Sequence, residues 1–142
     1  MPFEEGDILE FDEIYAFVGS KKNKVWIWLV ITRLKKQIVA YFIGDRSAKS
    51  LKKLLSRIPK RYKILFSYSD EWKAYSEVLN SETHTSVPKQ SGKTSHIERF
   101  NNTLRQRLSR LVRKTLSFSK SESMLDSAIN AFIVDYNLSL NF

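Results

Sequence analysis

Three carboxylates stand in settings that composition alone does not explain. Asp12 interrupts the apolar run of Ile8, Leu9, Phe11, Ile14, Tyr15, Phe17 and Val18. A charge inside a central strand is costly unless it is paired or binds a metal. Asp70 closes the stretch KILFSYS and opens the next helical pattern. Glu98 is the single acid between Lys89 and Lys120, a segment with nine Lys and Arg and a net charge of +8. A surface built only to bind phosphate gains nothing from an acid at its centre, whereas one that cuts phosphate needs acids to hold cations. Mg²⁺ is a hard ion that takes such oxygen ligands. Two such ions ~3.5–4 Å apart can clamp the attacking and leaving oxygens of an in-line phosphoryl displacement. Each acid also has an ordinary role. Asp12 fits a solvated patch on an edge strand, Asp70 an N-cap, and Glu98 a helix-dipole contact or an ion pair with a nearby Arg.

The elements that must position these residues follow from hydrophobic period. Ile8–Val18 reads as a strand, residues 19–24 as a polar turn, Val25–Arg33 as a second strand and Gln37–Ile43 as a third, in an antiparallel meander. The period then changes. Asp45 or Ser47 caps a helix carrying Ala48, Leu51, Leu54 and Leu55, and Pro59 helps to end it. Lys63–Ser69 is a fourth strand, and a short helix over residues 71–79 follows. Asn80–Thr94 is a polar loop holding one short strand near His84–Val87. Ile97, Phe100, Leu104, Leu108 and Leu111 make the apolar stripe of a long helix. Met124, Leu125, Ala128, Ile129, Phe132, Ile133 and Tyr136 do so for a last one, with Ser119–Glu122 as its capping box. The order β-β-β-α-β-α, followed by C-terminal helices, predicts an α/β fold with a mixed sheet.

Composition narrows the function. The 142 residues suit a single domain, and a net charge of +9 points to a polyanionic partner. Six acids and no base occupy residues 1–13, so the start does not read as a signal or transit peptide. No apolar run approaches the ~20 residues of a membrane span. With no cysteine, disulfides and thiolate zinc sites are excluded, in keeping with a reducing cytosol. Among the remaining side chains, His96 could approach a scissile phosphate, Asn101 shares a helix face with Glu98, and Trp72 follows Asp70 closely enough to stack on DNA. For each of these a cap, packing or solvated role competes. Trp26 and Trp28 share a strand face and read as core, His84 as a loop residue without function, and Ser117 and Ser119 as cap residues.

Four stretches carry a family resemblance: EFDEIYAFVGSK (10–21), IGDRSAKSL (43–51), YSDEWKAY (68–75) and HIERFNNTLRQRLSRLVRKTLSFSKS (96–121). Together they resemble the catalytic domain of the insertion sequence 1 family of bacterial transposases, DDE-type enzymes with a ribonuclease H-like fold. The resemblance implies that Asp12, Asp70 and Glu98 are the catalytic, metal-binding triad. It implies two Mg²⁺ ions, with Mn²⁺ able to substitute. It also implies phosphate contacts by Arg99 and Arg105. Arg107, Arg110, Arg113 and Lys114 extend that DNA surface.

The expected activity is metal-dependent cleavage at transposon ends, then attack of the freed 3′-hydroxyl on target DNA. Joining two ends needs two active sites, so the resemblance implies a homo-oligomer on DNA. The chain is expected to be one catalytic domain over residues 1–142, cytoplasmic and nucleoid-associated in a bacterium or archaeon. End recognition is expected from an upstream-encoded DNA-binding region. Two other readings share the composition: a stand-alone nuclease of the same fold, and a non-catalytic basic module that binds nucleic acid.

Overall fold

Near-continuous apolar runs give the first strands two apolar faces, and helices cover both. The computed structural model describes residues 6–63, 65–115 and 118–140. Its strands are β1 (Ile8–Val18), β2 (Ser20–Thr32), β3 (Ile38–Gly44), β4 (Phe66–Ser69) and β5 (His84–Ser86). Its α-helices are α1 (Ala48–Arg57), α2 (Lys73–Val78), α3 (Ser95–Thr115) and α4 (Glu122–Ser139). The five strands form one mixed sheet in the order β3-β2-β1-β4-β5. β2 is antiparallel to β1 and β3, while β4 is parallel to β1 and β5. β1 is therefore central, and Asp12 does not lie on an edge strand.

On one face Leu9, Phe11, Trp28 and Val30 pack with Leu51 and Leu54 of α1 and Ala74 and Tyr75 of α2. On the other Ile14, Ile27, Leu29 and Ile31 pack with Ile97, Phe100 and Leu104 of α3 and Leu125, Ile129 and Ile133 of α4. The stripe on α3 leaves this core beyond Leu104: Leu108 is half-buried and Leu111 is 40% exposed. Met124, expected on the buried stripe of α4, is also exposed. Among the described residues no helix is long and apolar enough to cross a membrane.

Local chemistry shifts several boundaries. The polar residues 20–24 are not a turn but the exposed start of β2, with Lys24 opposite Phe17, because backbone pairing tolerates side chains that face water on both sides. The turn contracts to Gly19, whose φ of +76° disfavours other residues. β4 starts at Phe66 rather than Lys63 because Lys60–Tyr62 form a 3₁₀ turn. Of the two candidates Ser47 is the N-cap of α1, and Asp45 braces it. Ser47 Oγ accepts from Ser50 N, and Asp45 Oδ1 accepts from Ser47 N and Ser50 Oγ. The cap of α4 is Ser121, which accepts from Met124 N at 3.1 Å. Ser119 lies two residues earlier, and its carbonyl accepts from Gly19 N beside a bridge to Val18. Ser117 lies outside the described residues.

Candidate active site

β4 pairs with β1 only from Ile8 to Glu10, whereas β1 runs on to Val18 against β2. Beyond the Glu10–Tyr68 pair the two parallel strands part, and a gap opens at their carboxyl ends. In open α/β sheets that is where ligands bind. Asp12, Glu13 and Asp70 each bring an oxygen into this gap, and the three atoms lie within 4.8 Å of one another. Asp12 and Glu13 point to opposite faces of the strand, but with β4 gone both side chains can reach the same opening. Glu13 is thus the residue that alternation alone misses. The available signal was its position next to Asp12 in a strand rich in apolar residues.

The environments of the three acids differ. Asp12 Oδ2 accepts from Asn101 Nδ2 at 2.9 Å, and Asp12 Oδ1 accepts from Glu13 N. Asp70 Oδ1 accepts from Trp72 N at 3.0 Å. Asp70 is therefore not the N-cap of α2, which begins at Lys73 after Trp72 with no side-chain cap. It makes an Asx turn instead. Glu13 is buried, with Oε1 accepting from Tyr75 Oη at 2.7 Å and Oε2 from Arg46 Nη2 at 3.0 Å. Burial, with Asp70 and Asp12 adding like charge, pushes its carboxyl up to about 7, although Tyr75 and Arg46 pull the other way. Burial and the same acids raise the Tyr75 phenol well above its usual range, so it remains a donor.

Glu98 does not join the set of oxygens within 4.8 Å; its Oε1 accepts from Thr94 Oγ1 at 3.0 Å. It sits between two tethers that hold α3 against β1. C-terminal to it, Asn101 is bonded to Asp12. N-terminal to it, Glu10 Oε1 accepts from His96 N and Ile97 N at 3.0 and 3.2 Å. Glu10 Oε2 also takes Arg33 Nε and His96 Nδ1, each at 2.9 Å. Glu10 is wholly buried, so a strand carboxylate serves as the anion at the positive end of this helix. Strand alternation puts Glu10 on the face of Asp12, toward α3. The same contact commits His96 Nδ1, as a donor, to Glu10.

His84 is also more than a loop residue. It is buried, stacked against Tyr75 and held between two hydroxyls. Ser69 Oγ donates to Asp70 O at 2.8 Å, so it accepts from His84 Nε2 at 2.9 Å. Ser67 Oγ then donates to Nδ1 at 2.7 Å. Burial lowers the imidazole to about 4, so it is neutral at pH 7. This chain of bonds ties β5 to the backbone of Asp70.

The basic positions on α3 face outward. Arg99, Arg105, Arg107, Arg110 and Arg113 are all exposed. Arg105 Nη1 donates to Asn102 Oδ1, and the Arg107 guanidinium lies over Phe132. The side chain of Lys114 lies outside what the structure describes. Trp72 offers less free ring surface than stacking on DNA would want: the Arg46 guanidinium covers it, 3.9 Å from the ring centroid. Trp28 is fully buried, as its strand face suggests, and its Nε1 donates to Asp45 O.

Known proteins are similar to this chain. The family described as IS1 transposase matches residues 8–138. The Insertion element IS1 4 protein InsB of Escherichia coli (strain K12) is 36% identical over 124 residues, 87% of this chain and 72% of that protein. The Insertion element IS1 protein InsB of Shigella flexneri is 35% identical over 124 residues, 87% of this chain and 92% of that protein. The Insertion element iso-IS1n protein InsB of Shigella dysenteriae is 35% identical over 128 residues, covering 89% and 93% of the two chains.

Proposed function

The chain belongs to the IS1 transposase family, and from that premise we propose that it is a DDE-type catalytic domain with a ribonuclease H-like fold. Its reaction would be phosphodiester cleavage at transposon ends and transfer of the freed 3′-hydroxyl into target DNA, in the cytoplasm. The observation that carries this reading is the meeting of Asp12 and Asp70 at the parted carboxyl ends of β1 and β4. The strand order with β1 at its centre supports the fold assignment.

The donor set suits a hard divalent cation, since it is made of carboxylate oxygens. Asp12 and Asp70 would hold Mg²⁺, or Mn²⁺ in its place, and Glu98 would complete the triad. Bound there, two ions would activate the attacking hydroxyl and stabilise the leaving 3′-oxygen. The protein's own groups supply the rest. Asn101 fixes the Asp12 carboxylate, and Glu10 fixes the first turn of α3 beside Glu98. A ligand role for Glu98 requires it to give up the Thr94 hydroxyl. The exposed guanidinium groups of Arg99, Arg105, Arg107, Arg110 and Arg113, with Lys114, would hold phosphates without reading sequence. His96 steadies Glu10 through Nδ1. Joining two ends would need a homo-oligomer, with end recognition supplied by an upstream-encoded DNA-binding region.

The test is a pre-nicked oligonucleotide incubated with Mg²⁺ or Mn²⁺, beside Asp70→Asn. Metal-dependent cutting that falls at least ~100-fold in the variant is expected. Joined strands, rather than cut strands alone, separate a transposase from a nuclease. Salt-sensitive binding with no metal-dependent product, even with an end-recognition region fused in front, would overturn the catalytic reading in favour of a binding module.

A further inference from the structure

The cation nearest the acids is not on the basic helix. Arg46 lies in the turn between β3 and α1 and, with Asp70, Glu71, Trp72, Val87 and Pro88, lines an open cleft of about 330 Å³. Two acids in that cleft repel a polyanion, so a DNA strand entering it needs a fixed positive charge. The Arg46 guanidinium is held between two indoles, 4.5 Å from the Trp26 centroid and 3.9 Å from that of Trp72. Its Nη2 donates to Glu13 Oε2, and its carbonyl accepts from Trp72 Nε1 at 3.1 Å. The side chain is thus ordered before any ligand arrives, which removes much of the entropy cost of a flexible arginine.

A comparison with Arg33 separates a strut from a site. Arg33 pairs with Glu10 through Nε and ties it to the chain before α3, its Nη2 donating to Lys93 O at 2.6 Å. Arg46 neutralises Glu13, yet its Nε is buried without a hydrogen-bond partner, and its side chain remains 34% exposed at the cleft. Arg33 thus spans two parts of the protein, whereas Arg46, bonded to Glu13 and set against Trp26 and Trp72, lies at the cleft of Asp70.

We propose that Arg46, clamped by Trp26, Trp72 and Glu13, is a binding site for a DNA backbone phosphate in the cleft beside Asp70. The site rests on the reading that this chain acts on DNA. It does not require that the chemistry be metal-dependent cleavage. Glu13 and the two tryptophans are positioning residues, and the fork geometry of arginine is what they position.

The test is binding of a short nicked duplex in EDTA across a salt series, so that its outcome is independent of metal-dependent chemistry. Arg46→Gln should weaken binding several-fold at low salt and reduce the slope of log K against log[salt] by about 0.9, one phosphate contact. Arg46→Lys should keep the slope but lose affinity, because ammonium cannot stack as a planar fork. A folded Arg46→Gln protein, checked by circular dichroism, with wild-type slope and affinity would overturn the proposal. So would a wild-type chain that does not bind DNA. If the Gln variant does not fold, the Lys variant decides, and wild-type affinity there counts against the site. Loss of the salt term without any metal-dependent product in the cleavage assay would leave Arg46 standing as a DNA contact and sink only the catalytic reading.

Discussion

Glu10 and Glu13 are three residues apart on one strand, both buried, and each is paired with one arginine. They face opposite sides of the sheet and have opposite fortunes. Glu10 meets two backbone N–H groups at the start of α3, the His96 ring and Arg33. All four donate hydrogen bonds to its two oxygens. Glu13 meets Tyr75 and Arg46, but Asp12 and Asp70 share its gap, and its carboxyl rises to about 7. Two copies of one side chain, equally hidden from water, therefore do different work. One holds a helix in place. The other sits in a field of like charge that a cation would relieve.

Glu10 is the more costly of the two to remove. Glu10→Ala leaves Arg33 unpaired and the first turn of α3 without its anion, and should cost about 3–5 kcal/mol. Urea unfolding should show this as a lower midpoint with an unchanged slope. A loss below about 1 kcal/mol would mean that the four donors are satisfied by water instead.

Glu13 should respond with the opposite sign. Its carboxyl is raised from 4.5 to about 7 on folding, so the folded state binds the extra proton within that window. Stability from this group is present at low pH and is lost as pH rises from about 4.5 to 7, by roughly 3 kcal/mol at most. Glu13→Gln in EDTA should remove that decline and be at least as stable as wild type at pH 7.5. His84 runs the other way. Its folded value of about 4 lies below the ordinary 6.5, so stability is lost as pH falls from 6.5 to 4. The two trends oppose each other between about 4.5 and 6.5. His84→Asn should unmask the Glu13 trend as a steeper loss of stability with rising pH, read from thermal midpoints.

The smallest effect sharpens the position of Glu98. Thr94→Ala removes the hydroxyl that Glu98 accepts and should cost about 0.5–1.5 kcal/mol. If the Thr94 bond competes with metal binding, the variant should bind Mg²⁺ more tightly in a calorimetric titration. Weaker binding would mean that Thr94 holds Glu98 in its working orientation.

The strands and helices were legible because β1 and β2 are near-continuous apolar runs and apolar residues recur at helical spacing along α3 and α4, whereas the place of Asp12 on a central strand was settled only by the sheet order. Family-level motifs around Asp12, Asp70 and Glu98 were legible too. Boundaries were less so. Ser119 and Ser121 both satisfy the residue preference of a cap, and only the bond from Met124 N to Ser121 Oγ decides between them. Ser20–Lys24 looks like a turn by composition, and only pairing with β1 makes it a strand.

What the sequence by itself determined is which residues could carry charge into the interior and on which strand face each would start. It could not say that β4 leaves β1 after Glu10, since strand pairing is a contact between distant segments. That departure lets Glu13 from the far face join Asp12 and Asp70. It could not find the role of Glu10 either, because the helix it anchors begins 85 residues later. Arg46 belongs with them: one cation among 24, set apart by two indoles and a carboxylate that only folding brings around it.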